Sequence, residues 1–194
     1  MKILGVTGGV GMGKSTAAQI LRDLAVPVVD TDDLARRLVR PGEPALAEIK
    51  AAFGENIIAL DGQLRREELA RIVFADAIAR QKLETILHPR IRTAWLAQVD
   101  LWRQENHSLG VVVIPLLFET RSEACFDQVI CVACTAVSQR QRLRARGWDD
   151  PQIDQRRSAQ WPVERKIARA NYVVWTEGLP EVQEQQWGRI LKKL

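Results

Sequence analysis

Apolar side chains fall into two patterns along this chain. Residues 3–7, 26–29, 110–114 and 129–133 form short runs rich in β-formers, and Tyr172–Trp175 forms a fifth. Continuous runs of this kind mark strands buried on both faces, as in parallel sheets. Elsewhere the apolar positions recur at helical spacing. An amphipathic stretch follows the first run as far as Leu24, and a long helical region begins after Asp30, punctuated at Pro41-Gly42, Gly54 and Asp61-Gly62. Residues 67–102 read as helix with a break or kink at His88-Pro89. Residues 140–168 read as helices around a turn at Asp150-Pro151, and residues 180–194 as a closing helix. Strands alternating with helices predict an α/β fold, a parallel sheet covered on both faces. Ligands of such sheets bind beyond the carboxyl ends of the strands. Gly8, Asp30, Pro115 and Glu119 are expected there.

Composition narrows the class. With 194 residues, 46% hydrophobic and 27% charged, the chain has the makings of one domain with helical insertions. The first residues carry one positive charge and too short an apolar run for a signal peptide. No stretch approaches the ~20 apolar residues of a membrane helix, so no membrane partner and a cytoplasmic location are expected. Three cysteines argue against a disulfide framework. Cys131 and Cys134 form a C-x-x-C, but Cys131 lies in an apolar run and no second ligand pair exists, so buried thiols are expected rather than zinc. The net charge of +4 is local. Residues 140–169 hold nine basic against four acidic residues, a net of +5 that leaves −1 for the rest. That concentration favours a local anionic target over nucleic acid.

Gly8-Gly9-Val10-Gly11-Met12-Gly13-Lys14-Ser15 is a complete G-x-x-x-x-G-K-S between a predicted strand and a predicted helix. Glycines let successive N–H groups curl inward around phosphate oxygens, and the following helix adds its positive dipole end. Gly8, Gly11, Met12, Gly13, Lys14, Ser15 and Thr16 are therefore candidate ATP-binding residues. In that motif Lys14 reaches the β/γ-phosphates, Ser15 holds Mg²⁺ and the Thr16 N–H meets the α-phosphate. The chain lacks the N-K-x-D of GTPases, and the strand at 111–114 does not end in an acid as in large ATPases. An arginine-rich helical segment late in a short chain points instead to a small-molecule kinase with a mobile lid. Arg142 and Arg146 share one helix face, Arg140 and Arg144 roughly the opposite one, so one pair can face phosphates while the other meets solvent. After the second strand come Asp30-Thr31-Asp32-Asp33. A carboxylate there can orient an alcohol and accept its proton, and Asp30 is the candidate base. One of Asp32 and Asp33 is expected to cap the next helix. Trp148 and Trp161 could stack on adenine, but packing is the better reading.

Further motifs follow in order. They are Asp30-Thr31-Asp32 (D-x-D), His88-Pro89-Arg90-Ile91-Arg92 (H-P-x-I-R), Pro115-Leu116-Leu117-Phe118-Glu119 (P-L-L-F-E), Arg142-Leu143-Arg144-Ala145-Arg146 (R-L-x-x-R) and Ser158-Ala159-Gln160 (S-A-Q). Together with the glycine loop, this set resembles the dephospho-CoA kinase family over nearly the whole chain. The resemblance implies a P-loop three-layer α/β/α fold with a parallel five-stranded sheet. Residues 1–30, 86–138 and 166–194 would form the core, 31–85 a helical CoA-binding insertion and 139–165 a helical lid. It implies phosphorylation of the ribose 3′-hydroxyl of dephospho-CoA by ATP with Mg²⁺. Asp30, Lys14 and Arg142 would be catalytic, and Arg146 would contact nucleotide. Thr7, Asp32, His88, Arg92 and Glu119 would serve the acceptor, with Thr7 and Asp32 helping to position substrate or metal. A monomer is compatible with this reading, and another nucleoside, nucleotide or sugar kinase is the alternative. The chain departs from the family at Ala170-Asn171-Tyr172-Val173-Val174-Trp175-Thr176-Glu177-Gly178, where A-D-Y-V-I-D-N-x-G is usual. Trp175-Thr176 replaces the D-N pair, so adenine contacts there are expected to differ and nucleotide preference to be looser.

Overall fold

The computed structural model describes residues 1–194 and divides into two compact units, Met1–Asp30 with Val99–Leu194, and Thr31–Gln98. The sequence-based end of the insertion lay at residue 85.

The first unit is built on five parallel strands, β1 (Lys2–Thr7), β2 (Val28–Asp30), β3 (Leu109–Val113), β4 (Gln128–Ala133) and β5 (Tyr172–Trp175), in the order β2-β3-β1-β4-β5. Side-chain alternation assigns the two faces. Leu4, Val6, Val111, Val113, Ile130, Val132 and Val174 pack with Ala17, Ile20 and Leu21 of α1 (Lys14–Asp23) and Trp187 and Ile190 of α9 (Pro180–Leu191). The opposite parity carries Gly5 and Gly110. A Cβ on Gly5 would come within 2.6 Å of Leu117 and one on Gly110 within 2.5 Å of Trp102, so both glycines exist to admit those side chains. Strand β2 is shorter than its apolar run. Helix α1 ends in a left-handed turn at Ala25 (φ 59), and Val26 N–H bonds back to Leu21 O at 2.9 Å while Ala25 N–H bonds Arg22 O. That closure consumes Val26 before the strand can start.

At the outer edge, Trp175 N–H donates to Gln186 Oε1 (2.8 Å) and Gln186 Nε2 donates to Trp175 O (2.9 Å). A side-chain amide from α9 thus takes the place of a further strand.

The second unit is helical: α2 (Thr31–Leu38), α3 (Pro44–Phe53), α4 (Arg66–Ala75) and α5 (Ala77–Gln104), which continues past Gln98. Val39, Leu46, Ile49, Ile57, Leu69 and Val73 form its core. Of the break or kink expected at His88-Pro89, the break is absent, because Pro89 sits inside the continuous α5. The missing proline N–H costs one bond of many, and the Arg90 guanidinium donates to the neighbouring Ile86 carbonyl at 2.6 Å. The real break is at Asp76, whose extended backbone (φ −130, ψ 119) ends α4 and whose carboxylate accepts Ile78 N–H at 2.8 Å to open α5.

The remaining helices, α6 (Ala136–Arg144), α7 (Asp150–Ser158) and α8 (Val163–Arg169), belong to the first unit. The turn expected at Asp150-Pro151 is instead the start of α7. Asp149 caps it by accepting Gln152 N–H, and Pro151 falls in its first turn, where a missing N–H costs nothing. The turn proper lies at Gly147 (φ 84).

Candidate active site

The loop after β1 cannot be made from other residues. Gly8 has φ 152 and Gly13 φ 91, and a Cβ on Gly8 would stand 2.4 Å from Val132 O. Gly13 caps α1 with no side-chain hydrogen bond, and the first turn of α1 contains no acid. No acid of α1 itself therefore compensates its positive end, on which Ser15 and Thr16 are exposed. Lys14 Nζ lies across the loop, donating to Gly8 O and Gly9 O at 2.9 Å each. Other loop peptides are held from outside. Val10 N–H donates to Gln160 Oε1 (2.9 Å), Val10 O accepts from Gln139 Nε2 (2.7 Å), and Met12 O accepts from Thr176 Oγ1 (3.0 Å).

Asp30 ends β2. Its register partner is Val113, whose partner is Val6, so the three form a row across the sheet. Shared parity with Val113 and Val6 puts Asp30 on the α1 face, two strand spacings from β1, or about 10 Å. The capping position of α2 falls on Asp30, because Asp32 and Asp33 lie inside its first turn, where Asp33 pairs with Arg36 at 3.2 Å. Capping by Asp32 or Asp33 is therefore corrected.

Thr7 lies on the other face, fully buried, and its hydroxyl donates to Pro115 O at 3.1 Å. The same carbonyl accepts from Lys166 Nζ at 2.7 Å, and Lys166 pairs with Glu119 Oε1 at 2.8 Å. Lys166 is 0% exposed. Glu119 Oε1 also accepts Trp161 N–H (2.8 Å), while Glu119 Oε2 is buried without a hydrogen-bond partner. Leu117 and Phe118 of the P-L-L-F-E stretch are core residues. Trp161 stacks on Phe118 with ring centroids 6.1 Å apart, and the Arg165 guanidinium lies 3.4 Å from its centroid.

The arginine segment is better paired than its composition suggested. Arg140 and Arg144 both bond Asp150, and Arg140 also bonds Asp154, so this pair meets solvent and α7 together, with the Arg144 side chain 57% exposed. Two acids of α7, Asp150 and Asp154, make all of these bonds to α6. Arg142 donates to Thr176 Oγ1 at 2.9 Å and to the Thr176 carbonyl. Arg146 lies past Arg144, the last residue of α6, exposed in the turn that the Gly147 N–H closes onto Arg144 O. Asp32 is exposed on α2. His88, half-buried, and Arg92, exposed, stand one turn apart on α5. These three belong to the helical unit, the other candidates to the sheet unit.

A cavity of about 690 Å³ lies under the loop, lined by Gly9, Met12, Thr135, Gln139, Trp161 and Trp175, among others. The cysteines are free thiols, and burial raises the Cys131 thiol to about 11. No cluster of three or more His, Cys, Asp or Glu could hold a metal, and no helix is long and apolar enough to cross a membrane.

The family model for dephospho-CoA kinase matches residues 2–181. This chain belongs to the dephospho-CoA kinase family. A relative of that name from Anaeromyxobacter dehalogenans is 43% identical over 195 residues, covering all of this chain and 92% of that one. Another, from Bdellovibrio bacteriovorus, is 38% identical over 194 residues, covering all of this chain and 96% of its own. Among solved structures, a Thermus thermophilus protein has 34% identity and a TM-score of 0.81, covering 100% of this chain and 97% of that one. Shikimate kinase from Aquifex aeolicus, at 18% identity, TM-score 0.51 and coverage of 98% and 96%, shares the P-loop kinase fold.

Against the usual dephospho-CoA kinase pattern, the Trp175-Thr176 pair does two different things here. Thr176 is 1% exposed, and its hydroxyl reaches Met12 O, with Ala133 O at 3.2 Å. It braces the loop from beneath. Trp175 is 41% exposed and bonds Glu177 through Nε1. Sequence reasoning gave no role to Lys166, Gln139 or Gln160. Lys166 had no distinguishing signal in a basic segment, and Gln160 was visible only as the last letter of S-A-Q.

Proposed function

We propose that this protein transfers the γ-phosphoryl group of ATP to the ribose 3′-hydroxyl of dephospho-CoA, giving coenzyme A and ADP. The observation that carries this reading is Asp30, a carboxylate at a strand tip on the α1 face, about 10 Å in strand spacing from the glycine loop. That gap suits a γ-phosphate and an acceptor hydroxyl. Loop N–H groups and the start of α1 bind the phosphates, and Lys14 exchanges its bonds to Gly8 and Gly9 carbonyls for phosphate oxygens. The acceptor oxygen attacks the γ-phosphorus, the bond from that phosphorus to the β–γ bridging oxygen breaks, and Asp30 takes the hydroxyl proton. Arg142 and Arg146 supply positive charge to the transferring group.

Mg²⁺ fits the donor set. Ser15 is exposed at a helix start without acids, and the absence of a carboxylate cage matches an ion held largely by phosphates and water. When bound it neutralises charge on the phosphate oxygens. Residues 31–85 supply acceptor recognition through Asp32, joined by His88, Arg92 and Glu119, and residues 139–165 act as the lid. Thr7 positions the site through Pro115. The free thiols fit a reducing compartment, and we assign the enzyme to the cytoplasm.

An acceptor screen tests the reaction. ADP should be released from ATP with dephospho-CoA and not with adenosine, AMP or shikimate; comparable turnover on one of the others would overturn the assignment. Asp30→Asn should keep ATP binding while kcat falls about 10²–10⁴-fold. An unchanged kcat would remove Asp30 from the base role.

A further inference from the structure

The third residue of the glycine loop is held at both ends of its amide chemistry. Val10 N–H donates to Gln160 Oε1 and Val10 O accepts from Gln139 Nε2, at 2.9 and 2.7 Å. Its neighbours are Gly9 and Gly11, and Gly11 has φ 74. Backbone flanked by glycines has little preference of its own between peptide orientations, so the side chains decide. An anion cradle works while its carbonyls point outward, because a carbonyl turned inward sets a negative partial charge against phosphate.

Each glutamine is itself fixed. Gln139 is 2% exposed on α6. Its Oε1 is buried without a partner, so the donor end of this amide is the end in use. Gln160 precedes Trp161, whose N–H is bound by Glu119 and whose ring lies between Phe118 and Arg165. Glu119 is anchored in turn by the fully buried Lys166. The segment between α7 and α8 therefore touches the glycine loop with one residue and the Glu119 turn with the next.

We propose that Gln139 and Gln160 are positioning residues that clamp the two peptide groups on either side of the Val10 Cα, Gln160 the Gly9–Val10 peptide and Gln139 the Val10–Gly11 peptide, and so set the shape of the phosphate cradle before nucleotide arrives. Position 160 must accept a hydrogen bond and position 139 must donate one. This rests on the loop being the ATP site, so the test reads ATP binding and amide exchange apart from turnover. An anionic ligand alone favours Lys over Glu anywhere near it. The clamp favours the reverse at position 160, since Glu accepts the Val10 N–H and Lys cannot.

Gln160→Glu should bind ATP within about threefold of the parent. Gln160→Lys and Gln139→Met should each weaken binding about tenfold, or ~1.4 kcal/mol. In the ligand-free protein, hydrogen exchange at the Val10 amide should quicken in Gln160→Lys and stay slow in Gln160→Glu. That readout separates the clamp from general loss of stability. Gln160→Lys binding ATP as tightly as Gln160→Glu, or equal Val10 exchange in both, would overturn the clamp. ATP binding that survives Lys14→Ala would overturn the ATP-site reading, and the clamp's purpose with it.

Discussion

Replacing Lys166 by Met removes one member of a buried ion pair while keeping most of the volume. The ammonium bridges Glu119 Oε1 at 2.8 Å and Pro115 O at 2.7 Å, with the lysine side chain 0% and the glutamate side chain 15% exposed. Deleting one partner of such a pair costs about 3–5 kcal/mol, because the surviving charge stays in low dielectric. The residual exposure of Glu119 and the Trp161 N–H still bound to it favour the lower end, about 3 kcal/mol. At ~2–4 °C per kcal/mol for a protein of this size, Tm should fall by about 6–12 °C. The origin is separable by a double-mutant cycle in urea. Lys166→Met with Glu119→Gln removes both charges and keeps an acceptor for Trp161 N–H, so it should recover about 2 kcal/mol relative to Lys166→Met alone. If the double variant is no more stable than the single one, the cost comes from packing and the account of Lys166 as a charge partner is wrong. A single-variant loss under ~1 kcal/mol would refute it equally.

Two further outcomes follow from local geometry. Ala25 closes α1 in the left-handed region and is exposed, so Ala25→Gly should stabilise the protein by about 0.5–1 kcal/mol in urea titration, although glycine ordinarily weakens a chain. The Cys131 thiol, pushed to about 11 by burial, stays protonated at pH 8 and out of reach. Thiol titration of the native protein with a disulfide reagent should therefore leave Cys131 unmodified until urea is added, and mass mapping would identify the modified positions.

The strands were legible because a parallel sheet buried on both faces leaves uninterrupted apolar runs, and the glycine loop because its spacing is set by backbone conformations few residues adopt. Helix boundaries were less so. Proline was read as a break or kink at His88-Pro89 and a turn at Asp150-Pro151, yet one lies within a continuous long helix and the other opens one. In both places the deciding groups are neighbours, Arg90 and Asp149, whose bonds depend on geometry. Lys166 was invisible for a related reason. Hydropathy marks a lysine as solvent-bound, and only the convergence of the turn after β3 with α8 reveals that it is not. The pairing of Arg140 and Arg144 with α7 was not legible because a count of acids says nothing about where they point.

Gln186 bears on how the molecule ends sideways. The last strand carries Val173 and Trp175 outward, 39% and 41% exposed, which is the character of a surface that recruits another chain. By filling both hydrogen-bonding groups of Trp175, the glutamine denies a newcomer its first foothold, so the fold is finished at that border by one amide rather than by a cover of extra backbone. The same bonds tether α9 to the strand it protects, so fraying of the C-terminal helix and opening of the border are one event.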